Sequence, residues 1–335
     1  MFVEAAQAPE VVRRQLTANA VASRQLGAVL RRLAPRAVVT CARGSSDHAA
    51  TFAKYVIEAY AKVLTSSASP SVSSIYDAAP DLEGVLFLAI SQSGRSPDLL
   101  AATERAKSSG ALVVVLSNDV NAPLAALADH AIPLHAGPEA SVAATKSYVA
   151  SLCAIVDLVA SWTGERALRD ALVQVPDQLA AAWQLDWSIG VRTLRDASGL
   201  FVIGRGFGLG AAQEAALKLK ETCALHAEAF SAAEVQHGPM ALVRVGFCAL
   251  MFSQGDDTRE GMLALARTFG ERGAQVLLAG ARTSTACALP TLVTHPVIEP
   301  ILMIQSFYRM ANALAIARGS NPDTPPHLRK VTETV

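Results

Sequence analysis

A single stretch decides the fold of this 335-residue chain: Val85-Leu86-Phe87-Leu88-Ala89-Ile90-Ser91-Gln92-Ser93-Gly94-Arg95-Ser96-Pro97-Asp98. Its six consecutive apolar residues are typical of a strand buried on both faces of a sheet. Ser96 is a good N-cap and Pro97 suits the first helical position, so a helix is predicted to begin there. The sequence therefore predicts a buried strand that leads through a short polar loop into a helix.

The polar loop between this strand and helix has the composition of an anion site. The amides of the first helical turn carry partial positive charge and converge just beyond the carboxyl end of the strand. Ser91, Gln92, Ser93 and Ser96 add side-chain donors, and Gly94 lets the backbone approach an anion closely. We interpret the loop as a phosphate site; an ordinary serine-rich turn is the alternative that the local pattern leaves open.

Composition and charge restrict the class of protein. Apolar residues make up 51% of the chain, and 29 lysines and arginines balance 29 aspartates and glutamates. No net charge draws the chain to nucleic acid or to a membrane surface, so we expect a small molecule or a second copy as its partner. The start of the chain lacks a signal-peptide pattern and no run of 18 apolar residues occurs, which predicts a cytoplasmic protein.

The five cysteines lie far apart, mostly within apolar runs, and include no Cys-x-x-Cys pair. This spacing argues against zinc and against a redox couple, so we expect reduced core residues. Nothing in the sequence requires a metal or another cofactor. The cysteines are Cys41, Cys153, Cys223, Cys248 and Cys287.

The rest of the chain alternates predicted helices and strands. The predicted elements are a helix or helix pair over 9–33, a strand over 37–42, a helix reaching Glu58, a short strand near 72–75, a helix over 98–109, and strands over 111–116 and 131–134. This order predicts an α/β fold with a parallel sheet covered by helices on both faces.

The second half of the chain repeats the first. Arg43-Gly44 recurs as Arg205-Gly206, Ser91-Gln92 recurs as Ser253-Gln254, and 48 residues separate Arg from Ser in both halves. We therefore predict two tandem αβα domains. The predicted segments are a helical segment over 1–33, a first domain over 34–160, a helical linker over 161–190, a second domain over 191–320 and a tail over 321–335.

The two copies are not equivalent, although both loops are expected at the ligand-binding edge of a parallel sheet. The second loop continues as Gly255-Asp256-Asp257, where two carboxylates would repel phosphate, so we expect phosphate only in the first domain. The glycine string over 204–210 does not fit a dinucleotide fingerprint, because Leu209 stands where a glycine is required.

Ionisable side chains concentrate between Lys218 and Pro239. Proton transfer next to a carbonyl or imine needs a carboxylate, and opening of a sugar ring needs a group that exchanges protons near neutral pH. Glu221 and His237 are the candidates, although a helix glutamate is usually a solvated surface residue and a lone histidine is usually structural. His226 and His237 do not form a metal-ligand pattern.

Together these motifs resemble the sugar isomerase (SIS) family and, more narrowly, the isomerase half of glucosamine-6-phosphate synthases. The motifs that carry the resemblance, spread over nearly the whole chain, are Arg43-Gly44-Ser45, Ser91-Gln92-Ser93-Gly94, the segment 215–221, His226-Ala227-Glu228-Ala229, His237-Gly238-Pro239 and the segment 328–332. The synthases also carry a glutaminase domain that begins with a cysteine, which this sequence does not contain. We therefore expect the chemistry of stand-alone SIS-type glucosamine-6-phosphate deaminases, with free ammonia.

The resemblance implies a role for each matching residue. Glu221 would move a proton between C1 and C2, and Lys330 would approach the sugar carbonyl. His237 would open the ring and reach the site from the other subunit, which implies a homodimer. The implied phosphate ligands are Ser45, Ser91, Gln92, Ser93 and Ser96, and the implied sugar contacts are Gly44, Val142 and Lys218.

The implied reaction converts glucosamine 6-phosphate and water to fructose 6-phosphate and ammonia. Ala144 and Arg95 replace a hydroxyl residue and an acidic residue of the synthase pattern, and no serine follows Lys330, so the accepted hexosamine stays open. The alternatives are a fructosamine-6-phosphate deglycase, an isomerase or deaminase for another amino-sugar phosphate, and a non-catalytic sugar-phosphate sensor. A sensor usually carries a basic DNA-binding segment, which this neutral chain does not suggest.

Overall fold

A computed structural model describes residues 1–76, 78 and 80–330 of the chain. In chain order the helices are α1 (Phe2–Ala6), α2 (Ala8–Leu33), α3 (Ser45–Val56), α4 (Pro70–Ser74), α5 (Pro97–Ser108), α6 (Pro123–Leu127), α7 (Lys146–Thr163), α8 (Arg166–Gln184), α9 (Ser188–Leu194), α10 (Gly208–Cys223), α11 (Arg259–Glu271) and α12 (Glu299–Ala317). The strands are β1 (Ala37–Cys41), β2 (Thr65–Ser67), β3 (Val85–Ser91), β4 (Leu112–Ser117), β5 (His130–Pro133), β6 (Gly199–Gly204), β7 (His226–Ser231), β8 (Cys248–Phe252), β9 (Gln275–Ala279) and β10 (Cys287–Leu289).

The chain forms two compact units, which we name after their sheets. The first-sheet unit contains Glu10–Glu139, Lys146–Val173 and, from the tail, Arg329 and Lys330. The second-sheet unit contains Met1–Pro9, Ala140–Thr145 and Gln174–Leu328. The domain boundaries drawn from the repeat stay predictions, and residues 331–335 of the predicted tail lie outside the described residues.

The first sheet is parallel throughout, in the order β2-β1-β3-β4-β5. All seven residues of its central strand β3 are buried, as the run of apolar residues predicts. Phe87 of β3 packs in a core cluster with Leu99 of α5 and Val113 of β4. Burying a side chain such as Phe87 contributes ~1.5–3 kcal/mol, so this core holds the strand that leads into the polar loop.

The second sheet repeats the topology of the first. Its order is β10-β9-β8-β6-β7, again parallel throughout. When β6 is matched to β1 and β8 to β3, the two sheets have the same strand order. The predicted α/β fold with two tandem repeats is therefore confirmed.

Two expectations about local structure are wrong. Residues 72–75 do not form a strand; Ser69-Pro70 instead starts the helix α4, and the edge strand of the first sheet is the polar Thr65–Ser67. Proline suits the first helical position, which favours the helix there. Four of the cysteines are buried as expected, but Cys287 is exposed on the edge strand β10.

In the described part of the chain, no helix combines the length and the apolar character that crossing a lipid bilayer requires. The longest, α2, has 26 residues but is amphipathic.

Helix α2 lies against helix α7 at a glycine. A Cβ atom built on Gly27 would lie 2.3 Å from the carbonyl oxygen of Ser161, well inside van der Waals contact. Buried Leu26 and Leu30 flank this position on α2. The close approach of the two helices therefore requires a residue without a side chain at position 27.

We expect the substitution Gly27→Ala to destabilise the protein. Alanine gains about 1 kcal/mol over glycine in a helix, but forcing a methyl group into a packed contact costs about 1–3 kcal/mol, and at 2.3 Å the cost should dominate. Gly261→Ala, at an exposed position of α11, is the matched control, since its Cβ would meet nothing closer than 3.9 Å. Urea denaturation should show a loss for position 27 and none for position 261; equal stability of the two variants would contradict the packing argument.

Candidate active site

A hydrogen bond between a backbone amide and a serine side chain shapes the polar loop after β3. The amide of Gly94 donates to the hydroxyl oxygen of Ser91 at 2.9 Å, and Gly94 has a φ of +64°. A Cβ there would also lie 2.6 Å from the Cβ of Ala122, so this turn requires glycine. Gln92 and Ser93 are half-buried, which leaves their side chains partly accessible at the loop.

A second loop lies beside the first because β1 pairs with β3 in parallel. Cys41 at the end of β1 is in register with Ala89 of β3. After Gly44, with a φ of +57°, Ser45 begins α3, and Ser96 is the N-cap of α5. The hydroxyl of Ser96 does not cap its own helix. The sheet edge therefore gathers the predicted phosphate residues from two neighbouring loops.

An ion pair connects these two loops. Nε and Nη2 of Arg43 each lie 2.7 Å from Oδ2 of Asp98, in the first turn of α5. The Asp98 side chain is 1% exposed and that of Arg43 is 51% exposed, so the positive charge faces solvent and the negative charge is buried. Nearby, burial raises the pKa of Asp47 and the charges of His48 and Arg43 oppose that shift.

Helix α10 of the second-sheet unit presents a row of charged side chains. Nζ of Lys218 lies 2.5 Å from Oε2 of Glu221 and 3.5 Å from Oε1 of Glu214. The hydroxyl of Tyr308 on α12 donates to Oε1 of Glu214 at 3.0 Å. The side chains of Lys218 and Glu214 are 1% and 0% exposed, whereas that of Glu221 is 20% exposed. The buried lysine thus orients a carboxylate that solvent or a ligand can reach.

His237 follows a short 3-10 turn, Glu234–Gln236, in the same unit. Its amide donates to the carbonyl of Glu234 at 2.9 Å, and its side chain is exposed. Within the described part of the chain, no hydrogen bond or ion pair joins His237 to Glu221. The structure therefore brings Lys218 and Glu221 together but not the two candidate proton-transfer residues.

Lys330 and the phosphate residues belong to the first-sheet unit, whereas Glu221 and His237 belong to the second. Nζ of Lys330 lies 3.5 Å from Oε2 of Glu139, which is fully buried. The same oxygen of Glu139 accepts a hydrogen bond from the Ser147 hydroxyl at 2.6 Å. An internal carboxylate thus holds the last described residue of the tail.

Val142, the remaining predicted sugar contact, is half-buried in the second-sheet unit. Its amide donates to the carbonyl oxygen of Asp323 at 3.2 Å. In the described residues, no group of three or more His, Cys, Asp and Glu side chains gathers as a metal-ligand cluster.

Sequence reasoning missed three groups that shape these sites. Glu214 precedes Lys218 by one helical turn and Glu221 by two, so helical spacing could have identified it. The contact of Tyr308 with Glu214 and the pairing of Arg43 with Asp98 join residues distant in sequence, and no local pattern signals them.

Three comparisons with known proteins bear on this geometry. Glutamine–fructose-6-phosphate aminotransferase (isomerizing) from Thermococcus kodakarensis is 33% identical over 310 residues, covering 88% of this chain and 51% of that protein. The chain thus spans about half the length of the curated relatives it matches.

Two crystal structures extend the likeness to the fold. A protein from Silicibacter pomeroyi DSS-3, provisionally described as a phosphosugar isomerase, is 43% identical with a TM-score of 0.93, covering 96% of this chain and 99% of that one. The C-terminal domain of glucosamine-fructose-6-phosphate aminotransferase from Francisella tularensis is 25% identical with a TM-score of 0.85, covering 96% and 97%.

The SIS domain family matches residues 34–161 and 193–314, which fall on the two repeats of the parallel sheet. These matches cover well over half of the chain and agree with the duplicated topology. The chain therefore belongs to the SIS domain family, with two SIS domains in tandem.

Proposed function

We propose that this chain is a glucosamine-6-phosphate deaminase that also acts as an aldose–ketose isomerase. It would convert glucosamine 6-phosphate and water to fructose 6-phosphate and ammonia. The observation that carries the proposal is the contact between Lys218 and Glu221, which holds a partly exposed carboxylate beside a buried ammonium group. Family membership and the names of its relatives supply the phosphosugar substrate class.

Glu221 is the proposed base of this reaction. With the ring open, its carboxylate would take the proton from C2 of the amino sugar and return it to C1, while the oxygen on C1 gains a proton and the nitrogen on C2 loses one, which leaves an imine at C2. Water would then hydrolyse the imine, releasing ammonia and fructose 6-phosphate. The ion pair with Lys218 fixes one carboxylate oxygen, which leaves the other for the substrate. Lys218 would also contact the sugar.

The phosphate is proposed to bind at the two adjoining loops of the first-sheet unit. Two helices, α3 and α5, begin there, so their amides and positive dipole ends favour a dianion. The serines and Gln92 add donors, and Arg43 adds a charge fixed in place by Asp98. Gly44 at the turn would allow the sugar to approach the backbone.

His237 is proposed to open the sugar ring in the site of a partner subunit. Its exposed side chain has no hydrogen bond to Glu221 within the described part of the same chain, which suits a role across a homodimer interface. Imidazole exchanges protons near neutral pH, as ring opening requires. Lys330 would approach the sugar carbonyl, and Val142 would contact the sugar.

We expect Glu221→Gln to lower ammonia release by on the order of 10³-fold, because the amide keeps the shape of the carboxylate but cannot accept the C2 proton. Ammonia released from glucosamine 6-phosphate is measured by coupling to glutamate dehydrogenase. Glu228→Gln is the matched control, since Glu228 is an exposed carboxylate in the same unit. It should retain full activity.

The wild-type result separates the competing functions. Ammonia release from glucosamine 6-phosphate supports the deaminase. If the protein instead releases a free amine or amino acid from fructosamine 6-phosphate adducts, and no ammonia from glucosamine 6-phosphate, the protein is a deglycase. Tight binding of fructose 6-phosphate with no turnover of either substrate would indicate a sensor.

Arg43→Ala should weaken binding of inorganic phosphate by about tenfold or more, since it removes a charge and takes away the guanidinium that balances the buried Asp98 carboxylate beside the loop. Arg95→Ala is the matched control: its side chain is 53% exposed and pairs with Asp119, itself 36% exposed. Isothermal titration should show the loss for Arg43 only. The double variant Arg43→Ala/Asp98→Asn should recover part of the affinity; equal losses for the two arginines would contradict a specific role for Arg43.

Mixing two inactive variants tests the dimer. In a heterodimer of His237→Ala and Glu221→Gln chains, one of the two sites would combine an intact Glu221 with an intact His237 from the partner. Random reassociation should therefore restore about a quarter of wild-type activity. If His237 acts within its own chain, every site lacks one group and the mixture stays inactive.

A further inference from the structure

We propose that the second-sheet unit retains an anion-binding loop of the kind found in the first-sheet unit, and that the carboxylate of Glu299 is its resident anion. The occupied loop would take a phosphate group if this carboxylate were removed. The inference concerns a site outside the proposed reaction and does not depend on which reaction the chain catalyses.

The two loops correspond residue by residue. Ser253 and Gln254 follow strand β8. They correspond to Ser91, which is the last residue of β3, and to Gln92, which comes after it. The amide of Gly255 therefore corresponds to the amide of Ser93. The turns after the neighbouring strands also match, because Gly206 and Gly44 both have a φ of +57°. The Ser93 amide of the first loop therefore has a counterpart, the Gly255 amide, in the second.

In the second loop, this donor already holds an anion. The amide of Gly255 donates to Oε2 of Glu299 at 2.6 Å, and the amide of Thr294 donates to Oε1 at 3.2 Å. Nη2 of Arg259 lies 3.9 Å from Oε2. Two backbone amides and a guanidinium are the donor set that proteins use for phosphate oxygens. Glu299 is 2% exposed, so its carboxylate occupies the loop and excludes solvent.

The aspartates of the loop do not fill this role. Asp256 accepts hydrogen bonds from the amide of Thr258 at 2.9 Å and from Nε2 of Gln254 at 3.0 Å, so it braces the loop from within. The sequence suggested that Asp256 and Asp257 repel phosphate. The geometry points instead to Glu299, whose carboxylate already occupies the loop and so excludes phosphate from it.

A second observation is that the loop buries polar groups without hydrogen-bond partners among the described residues. Ser253 and Gln254 are 0% and 1% exposed, yet the Ser253 hydroxyl and Oε1 of Gln254 have no hydrogen-bond partner in the described part of the chain. The equivalent Ser91 hydroxyl accepts the Gly94 amide. Buried polar groups are normally paired, so the Ser253 hydroxyl is a spare donor that an oxygen of a ligand could accept, whereas the Gln254 oxygen, an acceptor itself, gives no argument for an anion.

The test uses inorganic phosphate as its probe. All proteins carry Ser91→Ala and Ser93→Ala, which weaken the first loop, and melting temperatures are measured in phosphate and in chloride at equal ionic strength. Glu299→Ala opens the second loop, whereas Glu299→Gln keeps it filled with a side chain of the same shape. In chloride, we expect the melting temperature of the Glu299→Ala protein to be lower than that of its parent. In phosphate, we expect this melting temperature to rise by several degrees and to level off as the phosphate concentration increases.

The parent and the Glu299→Gln protein should show only the small gain that the weakened first loop still allows, and it should be the same in both. A folded Glu299→Ala protein whose saturable gain does not exceed that of its parent, or an equal gain in the glutamine variant, overturns the proposal. If Glu299→Ala aggregates, it is refolded from denaturant in each salt. Recovery in phosphate alone supports the proposal, and failure in both salts overturns it, because phosphate must be able to replace the lost carboxylate.

Discussion

Parallel pairing of β1 with β3 is the constraint on which the first site depends. Parallel strands end at the same edge of the sheet, so the loops after Cys41 and Ser91 must lie side by side. Each loop opens a helix, so the positive ends of two helix dipoles lie at this edge of the sheet. Arg43 and Asp98 then join the loops through one ion pair. The proposed anion site thus depends first on strand order and then on the side chains of the two loops.

The two copies of the fold carry different polar groups. The first copy keeps an open polar loop, whereas the second copy contributes a helix with charged groups inside it. Burying Lys218 is unfavourable unless its charge is matched, and Glu214 and Glu221 match it from both sides, one turn away in each direction. Tyr308 in turn restrains Glu214. Such a chain of contacts leaves Glu221 little freedom, which suits the proton-transfer role proposed for it.

Local patterns predict much of this structure. The buried strand, the start of α5 at Ser96-Pro97 and the repeat at matching intervals each depend on a few adjacent residues, and all are present. The sequence-based predictions fail where the structure is determined by residues that are close in space but distant in sequence. The edge strand Thr65–Ser67 has no apolar pattern because its pairing with β1 is made by backbone groups. Nothing in the sequence distinguishes Glu299, the first residue of α12, from other glutamates, and only folding places its carboxylate on the Gly255 amide.

The edges of both sheets have a consequence for how copies of this chain can meet. The first sheet ends on β2, three residues long, and on β5, whose last residue Pro133 has no amide hydrogen. The second ends on the three-residue β10 and on β7, which carries the exposed side chains His226 and Glu228. Short, charged or proline-bearing edges resist the addition of a foreign strand. A homodimer of this protein would therefore be built from helices and loops, and fibrillar growth through a shared sheet is disfavoured from the outset.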